Sequence, residues 1–444
     1  MAFFDNPEAA LEELAAAESL RDHHLSSRQD IISGFYGSGY MGKNDNPSPE
    51  NHAYEYVMLM LPSIVYDNPR VSVESGGRMS LDGPALYLKH ALNKWTKDIS
   101  LWRTLILNAT DYFFTWSIAM VRLEQLPGRP GINGLAPYRP VVDYLPPERF
   151  VIDNKAPHYG LARYMGHQAK RDQSALLEDK RFNSEAVKGL AVDAGLETFY
   201  STESLRDKGP NRQEVTLYEI WVPEDTASGY SSKDGFNGSI YTLGTMSNSN
   251  TDKKSARWLR DPRPFFGPRW GPYLRFGMLD VPGHLYSLGP LTAVSDQIKS
   301  LNAHATSNAT TAANQKKGIA YDPANPEAGR AAKNFKNGEV FALPGLVSGS
   351  VQELELGAVS PESWLAEDRQ RDRLQRVSGI AAATSNPQKG VTATADTIAA
   401  ESREERTSWG KRQYAETVKK ILETAAWYMW HSVHVVFPLG NEAS

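Results

Sequence analysis

The chain has 444 residues, no cysteine and a formal net charge of −4. Its length allows a large core or two to four modules. The absence of cysteine excludes disulfides, thiol catalysis and Cys-ligated zinc. A protein that grips DNA through its phosphates is usually basic, so a pI of about 6.2 leaves two cases: DNA is not a partner, or DNA slides past without being held. The 10 Trp and 20 Tyr argue against disorder.

Met1-Ala-Phe-Phe-Asp-Asn lacks the basic start and apolar run of a signal peptide, so synthesis in the cytosol is expected. Pro7–Leu20 is rich in Ala, Glu and Leu and reads as an amphipathic helix, which Ser26–Phe35 extends or follows with another. Asn44–Asn51 is loop, broken by Asn46-Pro-Ser-Pro49. Tyr54–Val65 is an apolar helix, and Arg70-Val-Ser-Val-Glu74 alternates like a short strand. Pro84–Lys97 and Ser100–Leu123 read as two more helices. The second holds the most apolar stretch, but Arg103, Asn108, Asp111 and Arg122 make it too polar to span a membrane. From Tyr138 the pattern changes to short strands: Val141–Leu145, Phe150–Ile152, Leu161–Met165, Val215–Val222 and Ser239–Leu243. A polar helical insert at Ser174–Leu196 interrupts them. Ser228–Asp252, rich in Ser, Gly and Asn, reads as an exposed hairpin or mobile loop.

Ser287–His431 is organised differently. Leu291, Val294, Ile298 and Leu301 lie on one helical face, which continues into the small residues Ala303, Ala305, Ala309, Ala312 and Ala313. Lys316-Lys317 end that helix, where cations favour the C-terminal dipole. A Gly/Pro/Asn-punctuated segment follows, with β-like runs at Gly338–Leu343 and Val351–Leu356. Ser360-Pro361-Glu362 starts a second helix, Ser as cap and Pro at the first position. After the turn formers Ser385-Asn-Pro-Gln-Lys-Gly390 comes a helical pattern from Thr394 to His431, about 55 Å long at the usual rise.

Several motifs invite a chemical reading. Gly37-Ser-Gly39-Tyr-Met-Gly42-Lys43-Asn44 fits a dinucleotide fingerprint by spacing and nearly fits a phosphate-binding loop, but Asn44 stands where Ser or Thr would hold Mg²⁺. Both motifs also need a preceding strand and a following helix, and here a helix-like segment precedes. His431 and His434 lack an acidic companion for a metal site, and adjacent His23-His24 would face different directions on a helix. The run Glu401–Arg406 reads as a solvated or inter-subunit helix face. Lys253, Lys254, Arg257, Arg260, Arg263, Arg269 and Arg275 interleave with Trp258, Phe265, Phe266, Trp270 and Tyr273, as in nucleic-acid binding. The prolines among them favour a packed or subunit-contact segment. No Ser/His/Asp constellation or nucleophile elbow is present. An enzyme is not expected, nor any cofactor or metal.

The order helix, small β insert, helix, Gly-containing loop, very long helix resembles the core of the tailed-bacteriophage portal (head–tail connector) proteins. Tyr286-Ser-Leu-Gly-Pro-Leu-Thr-Ala, Gly390-Val-Thr-Ala-Thr-Ala-Asp396 and Asp143–Asp153 are similar to that family's stem root, loop-to-helix junction and wing. The resemblance implies an α+β, ring-forming subunit: wing over 1–286, first stem helix 287–317, clip 318–359, second stem helix 360–382, tunnel loop 383–393, long wing helix 394–431. Residues 432–444 would stand as a short tail in place of the family's crown.

By the same resemblance the chain would act at the capsid vertex of the virion, after assembly in the host cytoplasm. A homo-oligomeric ring, a dodecamer, would pass double-stranded DNA during packaging and ejection. It would seat the terminase large subunit and then the head–tail adaptor, and contact the major capsid protein. Asn386, Gln388 and Lys389 would lie on the tunnel loop. Lys316, Lys317, Lys333 and Lys336 would face the channel or clip, and Leu291, Val294, Ile298, Leu301, Ala305 and Ala309 a subunit interface. The alternatives are an oligomeric virion or scaffold protein without a DNA channel, and a nucleotide-binding enzyme using Gly37–Lys43.

Overall fold

A computed structural model describes residues 6–36, 51–65, 67–126, 137–192, 214–223, 225, 235–246, 255–313, 316–321, 351–356, 360–378, 393–432 and 435. Among these, helix (53%) and strand (24%) are largely segregated along the chain, which makes the class α+β.

The first segment folds as one helix, α1 (Pro7–Tyr36). Asn6 caps it by accepting the Glu8 N–H at 2.9 Å, as a short polar side chain does for orphan helix donors. Its buried side, Ala10, Leu14, Ala17, Arg21, Leu25, Arg28 and Ile32, repeats every three or four residues, so one stripe faces inward along the whole helix. Helix α2 (His52–Ile64) starts at Asn51, whose side chain accepts from Tyr54 N. After a 3₁₀ turn at Met79–Leu81 come α3 (Asp82–Asp98) and α4 (Leu101–Phe114).

Two expectations fail in this region. Arg70–Glu74 is extended but joins no described strand; the Asn93 side chain instead takes both backbone groups of Val71, at 3.0 and 2.8 Å. The single helix expected over Ser100–Leu123 stops at Phe114, and strand β1 (Trp116–Gln125) follows at once. The run Trp116-Ser-Ile-Ala-Met-Val is buried nearly throughout. Such a run fits a core helix or a core strand equally well. Two partners decide the matter: β1 pairs antiparallel with β2 (Tyr138–Leu145) on one side and β9 (Tyr273–Gly277) on the other.

A second antiparallel sheet runs in the order β3 (Phe150–Ile152), β4 (Met165–Asp172), β5 (Glu214–Val222), β6 (Phe236–Thr245), β7 (Ala256–Trp258), with β8 (Arg263–Phe266) also paired to β6. The strand expected at Leu161–Met165 is displaced: Tyr159–Leu161 is a 3₁₀ turn, and only Met165 belongs to β4. The insert becomes two short helices, α5 (Gln173–Glu178) and α6 (Ser184–Lys188). The strand expected at Ser239–Leu243 is β6, which is longer than expected and largely buried, so the exposed hairpin or loop expected over Ser228–Asp252 is corrected there. Gly238 sits where β6 and β8 slip register, with φ +90°, and a Cβ there would lie 2.1 Å from the Val222 carbonyl oxygen. Only glycine fits both constraints.

After the sheets come α7 (Pro290–Ala293) and α8 (Ser295–Ala313), separated by Val294, so the expected continuous helix is broken there. A β-hairpin follows, β10 (Lys316–Tyr321) with β11 (Val351–Leu356), then α9 (Pro361–Ser378) and α10 (Ala393–His431). The largest core joins α1–α4, the β1 sheet and α7 to α10. Three smaller clusters fill the two sheets and their junction.

Candidate functional site

The feature that most distinguishes this chain is the junction from which α7, α8 and α9 leave the body. Each residue of Tyr286-Ser-Leu-Gly-Pro-Leu-Thr292 has a physical task there. Tyr286 stacks on Trp116, ring centroids 5.0 Å apart. The Ser287 hydroxyl donates to Asp280 at 2.6 Å, and Leu288 N donates to Leu279 O. Gly289 passes so close to α4 that a Cβ would sit 2.6 Å from the Phe114 carbonyl oxygen. Pro290 opens α7, where its missing N–H costs nothing. Leu291 fills the core and Thr292 donates to Phe114 O. The end of α4 and the start of α7 are thereby held together by the Thr292 side chain on the Phe114 carbonyl and by the close passage of Gly289.

Beyond this root, α8 and α9 pair antiparallel. Leu301 of α8 and Leu374 of α9 are buried in the main core. Further out the seam is polar: Asn308 donates to Glu367 at 2.7 Å, Ser363 donates to Asn308, and Ser300 meets Gln370 at 3.3 Å. Asn308 and Glu367 are 4% and 5% exposed, yet on the outside of the same pair Trp364 and Leu365 are each 50% exposed. Ala303 and Ala309 also face solvent. The outer half of the pair is thus inside out, polar groups within and large apolar groups without. Among the charged residues of α9, Glu362, Glu367, Asp368 and Asp372 balance Arg369, Arg371, Arg373 and Arg376, and in α8 Asp296 balances Lys299. No net positive field marks this surface.

The structure redistributes the residues expected at a subunit interface. Leu291, Val294 and Leu301 are buried in the chain's own core, while Ile298 packs against it and stays partly exposed. Ala305 is half-buried and Ala309 exposed. Lys316 and Lys317 do not end a helix: they lie on β10, in register with Leu356 and Glu355. A pairing partner far downstream overrides the local helical pattern, which reading residue by residue could not anticipate. Lys333, Lys336, the β-like run Gly338–Leu343, and Asn386, Gln388 and Lys389 lie outside the described residues.

The long helix is anchored by its second half. Tyr414, Val418, Ile421, Ala425 and Tyr428 form a buried stripe. Tyr414 donates to Leu105 O at 2.6 Å, Tyr112 donates to Gly410 O at 2.9 Å, and Trp270 donates to the Thr424 hydroxyl at 2.8 Å. Its solvent side carries the spaced pairs Arg412–Glu416 and Lys419–Glu423.

At the opposite end of the chain, α1 is tied down by charge. Arg28 is buried and pairs with Asp111 at 2.5 Å and with Glu148, while Tyr144 donates to Asp111. Arg21 donates to Phe150 O, and Arg163 binds both Glu13 and Asp153. The sequence carried one signal for this: Arg21 and Arg28 stand on the apolar stripe of α1, seven residues apart, where an unpaired charge would be prohibitive.

The basic and aromatic stretch around β7 to β9 is partly taken up by packing, with Arg257, Arg269 and Trp270 left exposed. Arg260 and Arg263 both approach Glu219, at 3.3 and 3.6 Å, and Arg275 binds Asp280. Burial pushes the Glu219 carboxyl up, but Arg263, His167 and Arg260 outweigh it and hold it below the usual range. Phe265 and Tyr273 are buried, and Lys253 and Lys254 lie outside the described residues. His431 stacks on Trp427 at 4.5 Å; no group of three or more metal-ligating side chains occurs among the described residues, and His434 lies outside them. Gly37–Asn44 also lies outside, but the helix α1 runs up to Tyr36, where a phosphate-binding loop needs a strand. No helix of the described residues is long and apolar enough to cross a membrane.

No family model and no curated protein matches the chain. Among solved structures it is similar to a chain of the virion of a native gene transfer agent particle, at 11% identity and TM-score 0.33 over 87% of this chain and 81% of that one. It is also similar to a chain in the neck of the native particle, computed with C12 symmetry, at 12% and 0.35 over 91% and 81%. A chain in the neck of the empty particle, computed with C6 symmetry, gives 12% and 0.33 over 87% and 82%.

Proposed function

We propose that this chain is the subunit of a phage-type portal, a ring at the capsid vertex through which double-stranded DNA is packaged and ejected. The observation that carries the reading is the order α8, β10–β11, α9, α10 emerging from one root on an α+β body, the arrangement implied by the family resemblance. In this reading the body is the wing, α8 and α9 the stem, the β-hairpin the clip, and residues 383–393 the tunnel loop. Asn386, Gln388 and Lys389 then face passing DNA. Lys316 and Lys317, with Lys333 and Lys336, lie at the clip, where the terminase large subunit and later the adaptor dock. The major capsid protein surrounds the wing.

The inside-out helix pair suits a ring. Trp364 and Leu365 of one copy can reach the small exposed residues of the next copy's α8, a head-to-tail contact that closes by rotation. A stem whose charges balance suits a conduit, because strong phosphate contacts would add salt-dependent traps to translocation. Negative-stain electron microscopy of the purified protein tests the reading. Rings with a central hole are expected, twelvefold by the resemblance. Ala309→Glu, placing a charge on the contact face, should shift the population to free subunits. A uniform monomer at every concentration would overturn the reading, and unchanged rings in the variant would move the contact elsewhere.

A further inference from the structure

At the junction between α1 and the turn preceding α7, three histidines meet. His24 of α1 lies edge-on to His284, ring centroids 5.7 Å apart at 78°, and to His23 at 5.8 Å and 77°. Its other neighbour is Tyr286, at 5.2 Å, which is itself backed by Trp116. His284 is held in place by a tight turn: its N–H donates to Val281 O, and Gly283 takes a φ of +79°. The contact joins the first helix to the loop from which the helix pair departs.

The charged residues nearest in sequence on the two elements are paired. From α1, Arg21 and Asp22 are paired with each other at 2.8 Å. From the turn, Asp280 is bound by Arg275 of β9 and by Ser287. Asp22 and Asp280 are thus each paired with an arginine. Burial, and then His284 and His23, hold the His24 imidazole below its usual pKa.

We propose that the His24–His284 contact is a pH-sensitive clasp between the first helix and the turn that launches the helix pair. Neutral rings pack edge to face. Protonation on both sides places like charges across the contact, and α1 and the turn separate. This does not depend on ring formation.

Hydrogen exchange of the intact protein, with rates normalised to intrinsic exchange at each pH, tests it. Between pH 7.5 and 5.5 the peptides spanning 20–28 and 279–289 should lose protection measurably, by no more than roughly threefold, the ceiling set by two full unit charges at that separation in a water-like medium. His284→Gln, at an exposed position, should abolish the change in both peptides and leave protection at pH 7.5 intact. Persistence of the change in that variant would overturn the proposal. So would its absence in the wild type, or an equal loss across α10 between Tyr414 and Tyr428, which would report a global effect.

Discussion

The body and the paired helices α8 and α9 are built on opposite plans. In the body, apolar stripes point inward and charges are brought inside only when paired, as Arg28 is with Asp111 and Glu148. In the outer helix pair the buried seam is Asn308, Glu367 and Ser363, and the large apolar groups Trp364 and Leu365 look outward. A segment whose apolar side chains face water gains little from folding alone, whereas the body, although it too exposes Met79, Leu86, Leu161 and Trp430, is built around large buried apolar clusters. The chain's stability therefore resides mainly in the body, and the outer half of the pair adds little of its own.

Arg28 is where that contrast is most exposed to test. Arg28→Ala leaves Asp111 and Glu148 without their cation, and the cost should be about 3–5 kcal/mol, the usual range for one partner removed from a buried ion pair. Denaturant unfolding would measure it; a loss under about 1 kcal/mol, the value of a surface pair, would show that water replaces the guanidinium. Gly289→Val tests the joint between the two regions. Its side chain collides with the backbone of α4, so a loss of about 1–3 kcal/mol is expected, as for an overpacked core, with α7 losing exchange protection first.

The polar seam gives a subtler test. Asn308→Ala takes a donor from Glu367, leaving that carboxylate only Arg371, and should cost about 1–3 kcal/mol, while Asn308→Leu with Glu367→Leu should cost less than the sum of the single changes, because the groups left behind, Ser363 and Arg371, are half-exposed. Additive losses in the double variant would show that the seam's hydrogen bonds are worth more than their desolvation.

A milder change is a pH dependence within the body. His167 is buried against the Tyr273 hydroxyl at 2.8 Å, and burial lowers its pKa from 6.5. Well above 6.5 the ring is neutral folded and unfolded, and its contribution is flat. Below 6.5 the unfolded chain binds a proton that the folded one does not, so stability falls as pH drops toward the folded pKa. His167→Gln should therefore flatten the melting-temperature profile between pH 7 and 5. An unchanged slope would move the acid sensitivity to another group.

Where local pattern and long-range pairing agreed, the sequence was legible. The Ser360-Pro361 start and the spacing of apolar residues located α2, α9 and α10 with little error, because helix bonds close within one turn, while the pattern for α1 gives a helix whose continuation past Leu20 stays open. Alternating or apolar runs bounded by turn formers located β2, β3, β5 and β11. The candidate site was readable as an order of elements and as the Tyr286–Ala293 text, although the physical duty of Gly289 emerged only when α4 lay against it.

Other features depended on partners distant in sequence. Trp116–Gln125 became strand, and Lys316–Tyr321 became strand, because a sheet bond is made by a residue that no local window contains. The same reason moved Leu291, Val294 and Leu301 from an expected interface into the core: an apolar stripe states that it will be covered, and only the tertiary structure says by what. Composition, periodicity and caps therefore determined which segments are helical and which faces shun water. The fold decided which of those faces were used up inside the chain and which, Trp364 and Leu365 among them, were left exposed.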